Sequence, residues 1–172
     1  ERPPGFSAAD ILERGGVARH GTHVPLQDWA PIPAAIADAS VDLATCYVGL
    51  HHMTVEQLGP FLASVARILR PGGLFIVRDH DVDSEDMRAM VSLAHTVFNA
   101  GLGETWETNR AELRFFESAD TWAKRLHDAG FDDRGHRLLQ DNDPTRNALF
   151  CFERRGAAST AAATSRDPAV SA

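Results

Sequence analysis

The sequence predicts an α/β fold in which a mostly parallel sheet is completed by an antiparallel hairpin near its carboxyl end. Two observations support this prediction. An apolar run at residues 40–50, an amphipathic segment at 54–69 and an apolar run at 74–78 form a strand-helix-strand unit, whose strands run parallel. Two strand-like runs at 133–140 and 147–155 flank the turn-rich sequence DNDPTR, which is typical of an antiparallel hairpin.

The strand-helix-strand unit has clear signals at its boundaries. Residues 40–50 are apolar and include β-branched and aromatic types, which indicates a strand buried on both faces. Thr54 and Gln57 have the spacing of a capping box. Because Pro60 has no backbone N–H group, we expect the main helix to begin there, after a shorter first turn. The sequence RPGG at 70–73 is expected to end the helix before the strand LFIVR.

Three further segments have the pattern of short capped helices. They are residues 6–16 with Ser7 as the N-cap, residues 83–101 starting near Ser84, and residues 117–131 with Ser118 or Asp120 as the cap and Gly130 as the stop. Residues 21–29, GTHVPLQDW, predict a short extended run. We expect one domain at residues 1–155 and a disordered tail at 156–172, because the tail has no large apolar residues.

Composition narrows the classes of partner. The net charge is -7 and the pI is near 5.5, which argues against nucleic acid and anionic membranes and favours a small molecule or another protein. No apolar run reaches the roughly 18 residues of a membrane span, so we expect a cytoplasmic protein. Cys46 and Cys151 lie in apolar runs and are expected to be unpaired thiols. Because the chain begins with Glu1, we expect a processed or excised piece of a longer protein.

Polar side chains follow each predicted strand, at the point where the strand ends. His51 and His52 follow the first buried strand, and Asp79, His80 and Asp81 end the second. The run THVPL is followed by Gln27, Asp28 and Trp29. Ligands of open parallel sheets bind outside the carboxyl ends of the strands. We therefore expect these side chains to face a common cleft.

Three stretches together resemble a known family. The stretches DASVDLATCYVGLHHM, VARILRPGGLFIVRDHD and LHDAGF are similar to the carboxyl-terminal two-thirds of class I S-adenosylmethionine-dependent methyltransferases, in the small-molecule group called type 11. The similarity runs from Thr22 to Arg154. It implies a seven-stranded Rossmann-like sheet whose last strand is inserted antiparallel. It also implies S-adenosylmethionine as the cofactor.

The resemblance also implies roles for individual residues. Asp28 would accept a hydrogen bond from the adenine amino group, and Trp29 would contact the adenine. The stretch that passes beneath the methionine part of the cofactor consists of Cys46, Tyr47, Val48 and Gly49. His51 and His52 would lie between the cofactor and the acceptor. Tyr47 and Trp29 have core packing as their alternative role.

The sequence departs from the family pattern at its start. The family holds the cofactor on a glycine-rich loop after the first strand and on an acid after the second, and neither feature is visible here. Gly15-Gly16 and Gly72-Gly73 are interpreted as helix stops. The stretch ERPP at residues 1–4 looks like the material that follows the second strand. We therefore expect the first strands to be missing, either because they lie upstream or because the chain is a truncated paralogue.

Three histidines are the candidates for catalysis. A base is needed only if the acceptor must lose a proton, and histidine titrates near neutral pH. His51 and His52 are the first candidates, and their alternative is to fix the loop through a backbone hydrogen bond. His80 is a further base or orienting group, whose pKa the flanking Asp79 and Asp81 are expected to raise. The alternative for His80 is a structural role at a helix entry. The alternative for Asp28 is a role as a turn residue.

The segment at residues 93–116 is expected to cap the acceptor site. Its candidate contacts are His95, Phe98, Asn99 and Trp106, with Gly101 and Gly103 as hinges, and the alternative is a packed helical pair with a flexible loop. We expect no metal site, because the eight histidines are scattered along the sequence. The acids of DHDVDSED, residues 79–86, are interpreted as favourable charges at a helix start.

The resulting hypothesis is a methyltransferase that transfers a methyl group to oxygen, nitrogen or carbon of a small molecule, with a homodimer as a possible assembly. Two rivals remain. The first is a non-catalytic remnant that acts in protein association. The second is a nicotinamide-dependent reductase, which needs a glycine loop and a Tyr-x-x-x-Lys pair, whereas His51 stands four residues after the single tyrosine, Tyr47.

Overall fold

The computed structural model describes residues 21–27 and 29–156. The predictions for residues 6–16, for Asp28 and for the tail beyond Gly156 therefore lie outside the described residues. The elements run in the order β1 (Val41–Tyr47), α1 (Val55–Ile68), β2 (Leu69–His80), α2 (Glu85–Gly101), α3 (Trp106–Ala111), α4 (Ala119–Asp128), β3 (Phe131–Leu139) and β4 (Asn147–Arg154), with a 3-10 turn at Leu50–His52 between β1 and α1. None of the described helices is long and apolar enough to span a bilayer.

The four strands form one mixed sheet in the order β1-β2-β4-β3. Strand β2 is parallel to β1, and β4 is antiparallel to both of its neighbours, β2 and β3. Three of the four strands therefore run in the same direction, and the last strand is inserted antiparallel between its neighbours. The predicted α/β class, the parallel unit and the antiparallel hairpin are confirmed. Within residues 21–27 and 29–156 there is no glycine-rich loop that follows a strand.

Helix α1 differs from its prediction at one point. Thr54 forms the expected capping box, in which its hydroxyl accepts from the Gln57 N–H at 3.2 Å and its own N–H donates to the Gln57 side chain at 2.9 Å. The helix then runs without interruption through Pro60, so the expected start at Pro60 is wrong. Pro60 is exposed, whereas Phe61 and Leu62 on the other face are buried. Burial of the apolar face offsets the loss of one backbone hydrogen bond.

The turn predicted between α1 and β2 is replaced by a bulge inside β2. Val41 pairs with Leu69 and Leu43 pairs with Leu74, so the extra residues of β2 leave the ladder between these two pairs. Gly72, with φ at +76°, and Gly73 lie in this bulge. The interpretation of Gly72-Gly73 as a helix stop is therefore wrong, since the strand already begins at Leu69.

The bulge accounts for a glycine at position 73. A Cβ atom there would lie 2.9 Å from the Arg70 carbonyl oxygen and 3.2 Å from the Asp42 carbonyl oxygen. We expect Gly73→Ala to lower the free energy of unfolding by about 1–3 kcal/mol, because overpacking displaces backbone. Gly59→Ala in α1 is the matched control: a Cβ atom there meets no atom within 4 Å, so we expect a gain of about 0.5–1 kcal/mol. Urea denaturation of both variants measures this difference, and equal effects would contradict it.

Strand β1 is only partly buried. It forms one edge of the described sheet, and Leu43 and Tyr47 are 53% and 57% exposed. The prediction that β1 is buried on both faces is wrong. Leu43 and Tyr47 stay exposed because no described strand or helix covers this side of β1. Residues 22–26 form no strand either, so two strand ends rather than three deliver side chains to the site.

The core lies between the sheet and helices α1 and α4. Phe75 of β2 faces Phe131 of β3, with ring centroids 5.5 Å apart, and Phe150 stacks on Phe152 at 6.1 Å within β4. Trp122 of α4 is fully buried among these rings. Apolar burial on this scale makes β2 and β4 rigid, so they can hold the residues at their ends in fixed positions.

The remaining helix boundaries follow the sequence closely. Ser84 caps α2 by accepting from the Met87 N–H, and Ser118 caps α4 by accepting from the Thr121 N–H, both at 3.2 Å. The cap of α4 is thus Ser118 and not Asp120. Both cysteines are free and half-buried, and burial raises the pKa of the Cys46 thiol to about 12.

Candidate active site

The chain turns sharply after β1 and places two histidines at the end of the sheet. Val48 has φ at +53°, a conformation that β-branched residues rarely adopt, and its N–H donates to the Arg78 carbonyl at 2.7 Å. The 3-10 turn Leu50–His52 follows at once. Gly49 allows the close passage, since a Cβ atom there would lie 3.1 Å from the Cys46 sulfur. Backbone strain of this kind concentrates at functional sites.

His51 is fully buried and paired with the acid at the end of β2. Its Nδ1 lies 2.7 Å from Oδ1 of Asp79, which is also fully buried and accepts from the His80 N–H at 2.8 Å. The carboxylate can only accept, so Nδ1 of His51 carries the hydrogen. Nε2 of His51 is left buried without a hydrogen-bond partner. An unpaired buried nitrogen costs about 1–3 kcal/mol, which is a reason to look for a ligand.

His52 and His80 stand at the front of the site. Nδ1 of His52 lies 3.3 Å from the Leu113 carbonyl oxygen, and Nδ1 of His80 lies 3.1 Å from the Thr145 carbonyl oxygen. A carbonyl only accepts, so both rings carry their hydrogen on Nδ1 and expose a lone pair on Nε2 when neutral. Nε2 of His80 is 3.4 Å from Nε2 of His95.

Four histidines thus form one cluster, which we call the histidine cluster: His51, His52, His80 and His95. Centroid distances from the His51 ring to the rings of His52, His95 and His80 are 4.2, 5.0 and 5.4 Å. Phe116 contacts three of the four rings. The prediction of no metal site rested on the scattering of the histidines along the sequence. These four histidines lie together in space, so that premise is wrong.

Burial keeps the accessible imidazoles of the histidine cluster neutral. It lowers the pKa of His52, and the neighbouring His51 lowers it further. Burial also lowers the pKa of His95, to about 4, and again His51 adds to the effect. The expected rise in the pKa of His80 is wrong: Asp79 does favour the charged form, but desolvation outweighs it and lowers the pKa.

Glu112 adds a carboxylate to the edge of the cluster. Its Oε2 accepts from Asn99 Nδ2 and from Arg114 Nε, both at 3.0 Å, and lies 3.7 Å from Nδ1 of His95. Partial burial opposes ionisation, but the hydrogen bonds from Arg114 and Asn99 outweigh it and lower the pKa of Glu112. Glu112 was not predicted from the sequence, because nothing local distinguishes it from other acids of the segment 93–116.

An open cavity of about 650 Å³ lies in front of the histidine cluster. Its walls come from the ends of β1 and β2, from α2, and from the loop between β3 and β4, with the lining residues Val48, His52, His80, Ala94, His95, Phe98, Glu112, Gln140, Asn142, Asp143, Pro144, Thr145 and Asn147. This volume is in the range of small-molecule sites. Of the side chains predicted to face a common cleft, His52 and His80 line this cavity, whereas His51, Asp79 and Asp81 do not.

The predicted site residues divide into three groups. His52 and His80 line the cavity, as do His95 and Phe98 of the segment 93–116, whereas Trp106 is exposed and Asn99 holds Glu112. His51 lies behind the wall, and Asp81 fixes the fold by accepting from the Ala119 N–H and pairing with Arg146. The third group is the predicted cofactor contacts, of which Val48 lines the cavity, while Trp29 packs edge-on against Phe61 and Tyr47 is exposed.

The chain is similar to known methyltransferases in sequence and in structure. Residues 17–77, less than half of the chain, match the sequence model of the family described as a methyltransferase domain. The 1,6-didemethyltoxoflavin-N1-methyltransferase of Burkholderia thailandensis, solved with 1,6-didemethyltoxoflavin and S-adenosylhomocysteine, has a similar structure, with a TM-score of 0.57 and 16% identity over 86% of this chain and 56% of its own. The predicted resemblance to class I methyltransferases is confirmed.

Other structures with the methyltransferase fold agree. The mitomycin 7-O-methyltransferase MmcR has a TM-score of 0.61 and 19% identity over 90% of this chain and 40% of its own. An O-methyltransferase family protein of Burkholderia thailandensis has a TM-score of 0.58 and 14% identity over 86% of this chain and 40% of its own. No curated protein matches the sequence. The chain thus shares the methyltransferase fold while spanning less than two-thirds of these structures.

Proposed function

We propose that this chain is part of an S-adenosylmethionine-dependent methyltransferase that methylates a small molecule bound in the cavity. The observation that supports this most directly is the 650 Å³ cavity at the carboxyl ends of β1 and β2, with neutral imidazoles in its wall. Solved structures of the same fold include an N-methyltransferase with a small-molecule acceptor and a mitomycin O-methyltransferase. A cavity of this volume lies in the range of small-molecule sites.

The chemistry asks little of the protein beyond alignment and, for some acceptors, a base. The bound cofactor would supply an activated methyl group on a sulfonium sulfur. Trp29, Cys46, Tyr47, Val48 and Gly49, together with Asp28, are the residues proposed to hold it. Val48 fits this role, because its strained backbone lies at the cavity wall, and Gly49 lets the chain pass close to Cys46 and Trp29.

His52 is the proposed general base. It lines the cavity, its Nδ1–H is directed to the Leu113 carbonyl, and the lowered pKa leaves Nε2 free to accept a proton at neutral pH. His80, at the end of the neighbouring parallel strand β2, is proposed to orient the acceptor. His51 is a positioning residue, since it is buried and holds the end of β2 through Asp79.

Methyl transfer can be tested directly with tritium-labelled S-adenosylmethionine. Calorimetric titration with S-adenosylhomocysteine comes first, on this chain and on a longer protein if the gene encodes further residues upstream. A panel of small phenols, amines and 2-oxo acids then identifies an acceptor. For an acceptor that must lose a proton, we expect His52→Gln to lower the rate about 10²- to 10⁴-fold and to leave binding of S-adenosylhomocysteine unchanged.

The matched control is His136→Gln, which alters an exposed histidine of β3 and should retain the full rate. Absence of S-adenosylhomocysteine binding in both forms of the protein would reject the proposed function. The same result together with self-association would support the alternative, protein association. The observation that favours this alternative is a row of apolar side chains on and after α2 that are 43–65% exposed: Met90, Leu93, Val97, Phe98, Leu102 and Trp106.

A further inference from the structure

Three histidines of the cluster have the arrangement of metal ligands. His51, His52 and His95 each offer one nitrogen atom, and these three atoms lie within 4.8 Å of one another. Three nitrogens bound tetrahedrally to one zinc ion at about 2.1 Å lie about 3.4 Å from one another. The widest separation in this set would therefore have to shorten by at most about 1.4 Å, which rotation of the imidazole rings about their side-chain bonds can supply.

Two of these histidines already have one ring nitrogen in a hydrogen bond, which leaves Nε2 as the atom that can bind a metal. Nδ1 of His51 bonds to the carboxylate of Asp79 at 2.7 Å, and Nδ1 of His52 bonds to the Leu113 carbonyl at 3.3 Å. Histidines that bind metal usually donate their other N–H to a carboxylate or a backbone carbonyl, because this fixes the tautomer and raises the basicity of the ligand. Both types of partner are present here.

The unpaired nitrogen of His51 is an independent indication of a ligand. Nε2 of His51 has no hydrogen-bond partner although the residue is fully buried. A structural histidine would normally have both nitrogens satisfied at such a position. A metal ion that binds this lone pair removes the cost of leaving it unpaired.

The charges around the three histidines also suit a divalent cation. Asp79 lies behind His51, and the carboxylate of Glu112 lies 3.7 Å from His95 and 3.8 Å from His52. Arg114 pairs with Glu112 at 2.9 Å and orients it. Two carboxylates thus lie next to these imidazoles, and Arg114 offsets the charge of Glu112 but not that of Asp79, so the field there favours positive charge.

We propose that His51, His52 and His95 bind a divalent transition-metal ion of the zinc type. Imidazole nitrogen favours zinc, iron, nickel and copper over magnesium and calcium. Three protein ligands leave a coordination position open, and it faces the cavity because His52 and His95 line its wall. If the proposed methyl transfer also holds, His52 would serve as a ligand and not as a base in the metal-bound protein, and an acceptor oxygen bound to the metal would become easier to deprotonate. Metal binding itself does not depend on that function.

Titration of the metal-free protein with Zn²⁺ tests this proposal. After treatment with a chelator and dialysis, calorimetry is expected to show one strong site per chain. His52→Gln and His95→Gln are each expected to weaken binding more than about tenfold, while His136→Gln should bind as the unchanged protein does. Circular dichroism confirms that the variants are folded.

Cobalt substitution gives a measurement that needs no variant. Co²⁺ bound to three imidazoles is expected to give the strong visible absorption of a four-coordinate ion, which Zn²⁺ then displaces. The proposal is overturned if no site of unit stoichiometry is found, or if both cluster variants bind Zn²⁺ as tightly as His136→Gln. Binding of S-adenosylhomocysteine is measured on the same samples, so the metal site and the methyltransferase function can fail separately.

Discussion

Replacing Asp79 with alanine is expected to lower the free energy of unfolding by about 2–6 kcal/mol. The carboxylate accepts from two buried donors, Nδ1–H of His51 and the backbone N–H of His80. Alanine would leave both donors without a partner, at roughly 1–3 kcal/mol each. The end of β2 would also lose its side-chain connection to the turn after β1, so the wall of the cavity should become less ordered.

Urea denaturation measures the effect, with Asp42→Ala as the matched control. Asp42 also lies in the β1–β2 pair and bonds to Arg70, but its side chain is 80% exposed. Exposed ion pairs contribute about 0–1 kcal/mol. Asp79→Asn is a useful third variant, because it keeps an oxygen acceptor and should retain most of the stability. A loss for Asp79→Ala no larger than that for Asp42→Ala would show that the buried pair does not hold the site together.

The metal-free protein is expected to lose about 3 kcal/mol of stability from His95 alone as the pH falls from 7 to 4. Burial lowers the pKa of His95 in the folded state to about 4, against about 6.5 for an unfolded chain. Between these two values the unfolded state binds more protons, so stability rises with pH across this window. The contribution is fully present above pH 6.5 and decreases as the pH approaches 4.

This dependence can be assigned to His95 by mutation. The free energy of unfolding is measured against pH for the unchanged protein and for His95→Gln, with a chelator present. The slopes of the two curves should differ by the equivalent of about one proton between pH 6.5 and 4. His136→Gln, which removes an exposed histidine, is expected to retain the original slope. If His95→Gln has the same slope as the unchanged protein, the ring is solvated in the folded state and the histidine cluster is more open than the structure indicates.

Local signals in the sequence were sufficient for most of the secondary structure. Capping residues and apolar periodicity predicted α1, α2 and α4 because these signals act within a few residues of each other. The hairpin of β3 and β4 followed from its turn-rich connection. The errors at Pro60 and at Gly72-Gly73 have a common cause: both residues favour a break locally, and tertiary packing in α1 and the ladder between β1 and β2 overrode that preference.

The candidate site was predictable only in part. The rule that ligands bind at the carboxyl ends of parallel strands placed His52 and His80 correctly at one cavity, and that inference needs only the order of strands. It did not predict that His51 turns inward to Asp79, because the direction of a side chain depends on the strained backbone at Val48.

The sequence by itself determined the α/β class, the positions of α1, α2 and α4, the direction of the strands and the strand ends at which polar residues collect. Only the tertiary structure decided that His95 and Glu112 join His51 and His52 around one point, because α2 and the segment after it fold back over the ends of the strands. The physical reason is that a helix cap acts over three or four residues, whereas this cluster depends on contacts between residues more than 40 positions apart, which form only when the core fixes the helices on the sheet.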